Sequence, residues 1–256
     1  MVRRRLGHTA LAVSPIALGT TKLGRNTDVK YASPFALPSD EQVATLFHSA
    51  LELGVNLIDT APAYGESERR LGLLIENQRD DIVLCTKCGE RYTNGRSTYN
   101  FSAAAITASV ENSLRSLRTD HIDILLLHSD GNDLQILVET DALEALARLK
   151  NSGKIRAAGI SAKTSAGILE AARTLDVVMA PYSQQEPSLA GTLAEVHRRG
   201  VGVLAIKGLF SGHLDAQPAI EFVLRQPFID TLVVGTLNPA HLSDAVAVAE
   251  MLRRTR

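Results

Sequence analysis

The sequence predicts a single (β/α)8 barrel spanning residues 1–256, with a short N-terminal hairpin. Three observations carry this reading. Short apolar runs alternate with amphipathic stretches along the whole chain, giving eight strand–helix units. The runs are continuously apolar, as expected for parallel strands covered on both faces. The length, 256 residues, suits eight such units. A doubly wound open sheet would call for a glycine-rich dinucleotide turn after the first strand, and the residues there read GTTKLG.

In chain order, the apolar runs are 15–19, 55–59, 82–86, 122–128, 155–161, 177–180, 201–206 and 231–235. Helical periodicity falls at 39–53, 67–77, 102–117, 140–151, 164–175, 188–199 and 216–226, and from Pro239 to Leu252. Ser39 and Gln42 have capping-box spacing. Val43, Leu46, Phe47, Ala50 and Leu51 form the apolar face of that helix, and Gly54 follows as its stop. Residues 1–13 read as two short strands around a turn, placed to plug the barrel bottom. Residues 21–38 and 88–101 are long loops after strands, which predicts that they flank the working face.

Four polar residues follow three successive strands: Asp59, Tyr64, Lys87 and His128. In a barrel, strand ends converge on one rim. There the four make an acid–base site. A phenol has an ordinary pKa of about 10, and a neighbouring ammonium stabilises its anion. Asp59 pairs with Lys87 and fixes its position, while His128 donates a hydrogen bond to the substrate oxygen. The His and carboxylate spacing forms no metal set.

GVNLIDTAPAYGESERRLG (54–72) resembles the signature segment of the aldo-keto reductases, and TKCG and LLLHSD fall where that family carries its other catalytic residues. The resemblance runs from RRLGHTALAVSPIALGT to GTLNPAHL. It implies NADPH or NADH, a small-molecule carbonyl or alcohol substrate, Tyr64 as proton donor, Lys87 and Asp59 as its tuning pair, and His128 as the group orienting the carbonyl. It places Gly19, Thr20 and Thr21 near the nicotinamide ribose and Ser161 at the carboxamide. The segment of Ile206, Lys207, Gly208, Leu209, Ser211 and Gly212 falls at the pyrophosphate, and Gly235, Thr236, Asn238 and His241 fall toward the adenosine. Asn238 and Pro239 also read as an ordinary helix start.

Several positions depart from the family pattern. Ala162 replaces an asparagine, Met179 a glutamine, Ile206 a ring-stacking aromatic and His241 an arginine. These changes predict weaker cofactor binding, with the ring held by apolar packing on Met179 and Ile206. The histidine discriminates less for a 2′-phosphate than an arginine does, so NADP is expected and NAD is allowed. Thr21 and Ser129 stand where bulky aromatics are common, with Tyr92, Tyr99 and Phe210 as candidate walls. The chain stops shortly after its last helix, which predicts an open mouth suited to small or hydroxylated aldehydes and ketones.

A formal net charge of -1 offers no basic field for nucleic acid, and no apolar run reaches the roughly 20 residues of a membrane helix. The two cysteines, Cys85 and Cys88, continue a strand rather than open a helix, which argues against a redox pair. A cytoplasmic monomer or weak oligomer is expected. The altered nicotinamide contacts leave one alternative: a cofactor-binding, catalytically weak nucleotide-sensing subunit.

Overall fold

A computed structural model describes residues 1–254. Its centre is a closed barrel of eight parallel strands: β3 (Ile16–Gly19), β4 (Leu57–Asp59), β5 (Val83–Cys88), β8 (Ile122–His128), β9 (Ile155–Ser161), β10 (Val177–Pro181), β11 (Gly202–Ile206) and β12 (Thr231–Val234), with β12 closing on β3. The ring of helices comprises α2 (Asp40–Glu52), α3 (Ser67–Ile75), α4 (Ala103–Leu117), α6 (Ala142–Asn151), α7 (Ser165–Ala171), α8 (Ala190–Arg198), α9 (Ala216–Leu224) and α10 (Pro239–Arg254). Each expected strand–helix unit is present.

Side-chain alternation along the strands builds two apolar layers. Leu57, Val83, Cys85, Ile124, Leu126, Val177, Met179 and Leu204 fill the barrel interior. Ile58, Leu84, Leu125, Leu127, Val178 and Val203 face the helices. This parity decides the two cysteines: Cys85 points inward and Cys88 outward, so C-x-x-C brings no pair of thiols together.

The N-terminal hairpin, β1 (Arg4–Arg5) and β2 (Ala12–Val13), plugs the bottom as expected. Leu6, Leu11 and Val13 join the interior layer. Gly7 has φ +50°, and a Cβ there would lie 2.4 Å from the Gly200 carbonyl oxygen. The α2 start forms the expected capping box between Ser39 and Gln42, a device that contributes about 1 kcal/mol. Gly54, at φ +81°, ends that helix through its amide bond to the Leu51 carbonyl.

Four elements lie where loops or gaps were expected. Helix α1 (Thr21–Gly24) opens the 21–38 segment. Strands β6 (Glu90–Thr93) and β7 (Arg96–Tyr99) form an antiparallel hairpin inside 88–101. Its turn carries Asn94 at φ 52° and Gly95 at φ 78°, the pairing that two-residue hairpins favour. Helix α5 (Asp133–Glu139) follows His128; it buries Ile136 and Leu137 and exposes Leu134 and Val138, so its apolar residues show no clean one-sided pattern.

Candidate active site

At the C-terminal rim, strand parity turns Asp59, Lys87 and His128 inward, on the same face as Leu57, Cys85 and Leu126. Register then sets their heights: Gly19 pairs with Asp59, Lys87 with Leu126 and His128 with Ser161. Tyr64 arrives from the single 3-10 turn Pro62–Tyr64 after β4. Two glycines lock that turn to α1. A Cβ on Gly24 would meet the Tyr64 carbonyl oxygen at 2.2 Å, and one on Gly65, at φ +60°, would meet the Gly24 carbonyl oxygen at 2.2 Å.

Lys87 Nζ donates to Asp59 Oδ1 at 2.5 Å and to the Thr60 carbonyl at 3.0 Å. It lies 4.8 Å from the centroid of the Tyr64 ring. Burial disfavours the ammonium, but the charge of Asp59, joined by that of the Tyr64 phenolate once it forms, outweighs it and raises the Lys87 pKa. Burial pushes the Tyr64 phenol up, while Lys87 and the Thr21 hydroxyl pull it back; the net direction is upward. Tyr64 therefore carries its proton at neutral pH, held beside a cation that stabilises its loss. The His128 ring meets Tyr64 edge to face, with centroids 6.0 Å apart. Burial lowers its pKa, so the ring is neutral near pH 7.

A cavity of about 360 Å³ opens onto these groups. Of the sequence-predicted residues, Gly19, Thr21, Asp59, Tyr64, His128, Ile206, Lys207, Gly208, Leu209, Ser211, Gly212 and Gly235 line it. Lys87 lies just beneath, fully buried. Thr20 is turned away: its hydroxyl bonds the Asp59 carbonyl and Ser67. Met179 sits inside the barrel among the interior apolar residues. Ser161 is buried at its strand end, and Thr236, Asn238 and His241 lie at the start of α10, outside the lining. Asn238 caps that helix by accepting from the Ala240 amide at 3.0 Å.

The profile of the Aldo/keto reductase family matches residues 15–218. The chain belongs to that family. L-galactose dehydrogenase of Arabidopsis thaliana is 35% identical over 86% of this chain and 69% of its own. D-threo-aldose 1-dehydrogenase of a Pseudomonas species is 28% identical over 94% of this chain and 91% of its own. The chain spans about half the length of two further relatives, 49% of an oxidoreductase and 45% of an aldo-keto reductase, both from Bacillus subtilis. Among solved structures, an aldo-keto reductase AKR11C1 from Bacillus halodurans, in holo form, superposes with a TM-score of 0.85 at 25% identity, covering 98% of this chain and 91% of that one. A Pseudomonas aeruginosa protein assigned to the aldo-keto reductases reaches 0.90 at 42% identity, covering 97% and 94%. The family and these relatives make the chain an NAD(P)H-dependent oxidoreductase acting between carbonyl and alcohol.

Aldo-keto reductase chemistry needs a place for a dinucleotide, and the donor set fits one. Lys22, Lys30 and Lys207 line the cavity, and no described salt bridge engages any of them. Three cations beside a glycine-bearing loop suit a diphosphate. Sequence reasoning missed nine lining residues: Lys22, Arg25, Asp28, Val29, Lys30, Tyr31, Glu90, Val233 and Val234. Tyr31 is brought over the rim by the 21–38 segment, where the Ala32 amide bonds the Ser211 carbonyl at 3.1 Å. The expected aromatic walls are displaced: Tyr92, Tyr99 and Phe210 stay outside the lining, and Tyr92 stacks under Arg25 at 3.5 Å instead. Glu90 follows Gly89, whose φ is +95° and whose Cβ would meet the Phe101 ring at 2.2 Å.

Proposed function

We propose that the enzyme interconverts small or hydroxylated aldehydes or ketones and their alcohols, with Tyr64 as the proton donor and acceptor. The observation that carries this reading is the buried Lys87–Asp59 pair beneath the Tyr64 ring in the cavity. The nicotinamide cofactor supplies or takes the hydride when bound. Tyr64 gives its proton to the substrate oxygen in reduction and recovers it in oxidation. Lys87 stabilises the phenolate in between, and Asp59 keeps Lys87 charged and in place. His128 holds the substrate oxygen in line with Tyr64.

For the cofactor, Gly19, Thr21 and Ile206 border the nicotinamide end, with Thr20, Ser161 and Met179 behind them. Lys207, Gly208, Leu209, Ser211 and Gly212 take the diphosphate, and Gly235, Thr236, Asn238 and His241 the adenosine. NADP is the proposed cofactor and NAD a usable one. His241 is exposed and offers a 2′-phosphate one weak partner, and one relative of this chain, from Escherichia coli, is an NADH-specific methylglyoxal reductase. The charged and polar lining suits hydroxylated substrates; two relatives are named for aldose oxidation at position 1. The enzyme is proposed to work as a monomer or weak oligomer in the cytoplasm.

The test is cofactor oxidation with NADPH and NADH against an aldehyde and aldose panel. Tyr64→Phe is expected to lower turnover by about 10²- to 10⁴-fold with cofactor affinity intact. A variant as fast as the wild type would remove Tyr64 from the role. His241→Ala is expected to narrow any preference for NADPH.

A further inference from the structure

Glu90 comes from the β6–β7 hairpin rather than from a barrel strand, yet it lies in the same cavity as Tyr64 and His128 and is 8% exposed. Its Oε2 is 2.7 Å from His128 Nδ1. At this distance Nδ1 still makes no hydrogen bond of ordinary geometry and is buried without a partner; catalytic contacts are often misaligned before substrate binds and tighten afterwards. Its other oxygen, Oε1, accepts from the Ser97 hydroxyl at 2.5 Å and lies 3.8 Å from the Arg25 guanidinium. Arg25 is itself held on the Tyr92 ring. The carboxylate is thus anchored from the hairpin and from the 21–38 segment, and its free side is turned to the imidazole.

A carboxylate at Nδ1 decides where a histidine keeps its proton. With Nδ1 buried against Glu90, Nε2 is the nitrogen left for the cavity. A neutral ring that gives its proton to the Glu90 side has a bare lone pair on Nε2. Such a ring accepts a hydrogen bond from a substrate hydroxyl and cannot donate one to a carbonyl. Only the imidazolium carries a proton on both nitrogens.

We propose that Glu90 is a positioning residue that holds His128 with its proton on Nδ1. Alcohol oxidation then uses the neutral ring, and carbonyl reduction uses the imidazolium. This rests on the reaction proposed above and adds to it a built-in separation of the two directions by pH.

The groups around the ring act in opposite directions, with burial and Lys87 prevailing. Glu90 and Asp59 favour the charged imidazole, Lys87 opposes it together with burial, and Tyr64 presents its ring edge. Glu90 itself stays ionised: burial works against it, but His128, Ser97 and Arg25 bring it down to about 2.

The first measurement needs no turnover. Long-range proton–nitrogen spectra of the wild type, with the His128 signal identified by its loss in His128→Gln, are expected to show a neutral ring protonated on Nδ1. A ring protonated on Nε2 overturns the proposal. The second measurement is the pH profile of kcat/KM in both directions for Glu90→Gln, which keeps the acceptor and removes the charge. The limb set by His128 is expected to move down by about one pH unit, which lowers the charged fraction about tenfold. Reduction near neutral pH falls accordingly, while oxidation is little changed. Equal losses in both directions with an unmoved limb would mean a merely structural role and would overturn the proposal. Ser97→Ala, which leaves Glu90 in place but loosens it, is expected to shift the same limb in the same direction by less. A chain inactive in all assays would count against the reaction, whereas the tautomer spectrum would still judge Glu90.

Discussion

Lys87 Nζ lies 2.5 Å from Asp59 Oδ1, with the two side chains only 2% and 4% exposed. Two charges this deep tolerate each other's presence and not each other's loss. Removing one partner of a buried pair costs about 3–5 kcal/mol. Asp59→Asn is therefore expected to lower the thermal midpoint and to reduce kcat/KM by at least about 10²-fold, measured by melting and by steady-state rates. A variant with wild-type stability would mean that the pair is solvated in solution.

The same pair has a pH signature. The folded-state pKa of Lys87 is raised, so its stabilisation is fully present below the unfolded value of about 10.4. It is lost as pH rises through the folded value. Unfolding followed against pH is expected to show an alkaline decline in the wild type beginning above about pH 10 that Lys87→Met lacks. Parallel curves would refute this.

Gly24 sets Tyr64 through backbone contact. A methyl group there would lie 2.2 Å from the Tyr64 carbonyl oxygen and 2.3 Å from the Ser67 amide, and backbone has little room to move. Gly24→Ala is expected to cost about 1–3 kcal/mol and to lower kcat more than it raises substrate KM. Separate measurement of the two constants checks this, and a rise in KM alone would contradict it.

Leu6 occupies the opposite end of the barrel, fully buried between the hairpin and Gly202. Leu6→Ala is expected to cost about 2–5 kcal/mol with kcat unchanged at temperatures below the melt. Loss of kcat in a folded variant would indicate that the plug reaches the rim.

Lys207 combines a cavity position with a left-handed backbone, φ +59°. Lys207→Ala is expected to raise the cofactor KM about tenfold at low salt, and by less at high salt, where screening already weakens the wild type. A KM insensitive to both changes would place the diphosphate elsewhere.

Much of this was legible along the chain. All eight strands, the α2 capping box and the Asn238 cap follow from local chemistry, as does the convergence of Asp59, Lys87 and His128 on one rim. The β6–β7 hairpin also had a local signal in Asn94-Gly95, flanked by strand-forming residues. Helix α5 had little, because Leu134 and Val138 face solvent beside buried Ile136 and Leu137. Thr20 illustrates the limit of motif position: it stands next to lining residues on both sides, but its hydroxyl is taken by Asp59 and Ser67. Tyr31 replaced Tyr92, Tyr99 and Phe210 as the aromatic wall because the path of 21–38 over the rim depends on a bond to Ser211.

From the sequence alone came the barrel, the hairpin beneath it and the convergence of Asp59, Lys87 and His128 on one rim, since these depend on spacing along each strand and on the parity that spacing imposes. Tertiary structure alone decided which residues close the pocket. Glu90 reaches His128, and Thr27 meets Tyr92 across 65 positions of sequence, through loops whose course is settled by long-range contacts. Periodicity records which face a residue takes on its own element; it holds no record of which other loop will stand opposite.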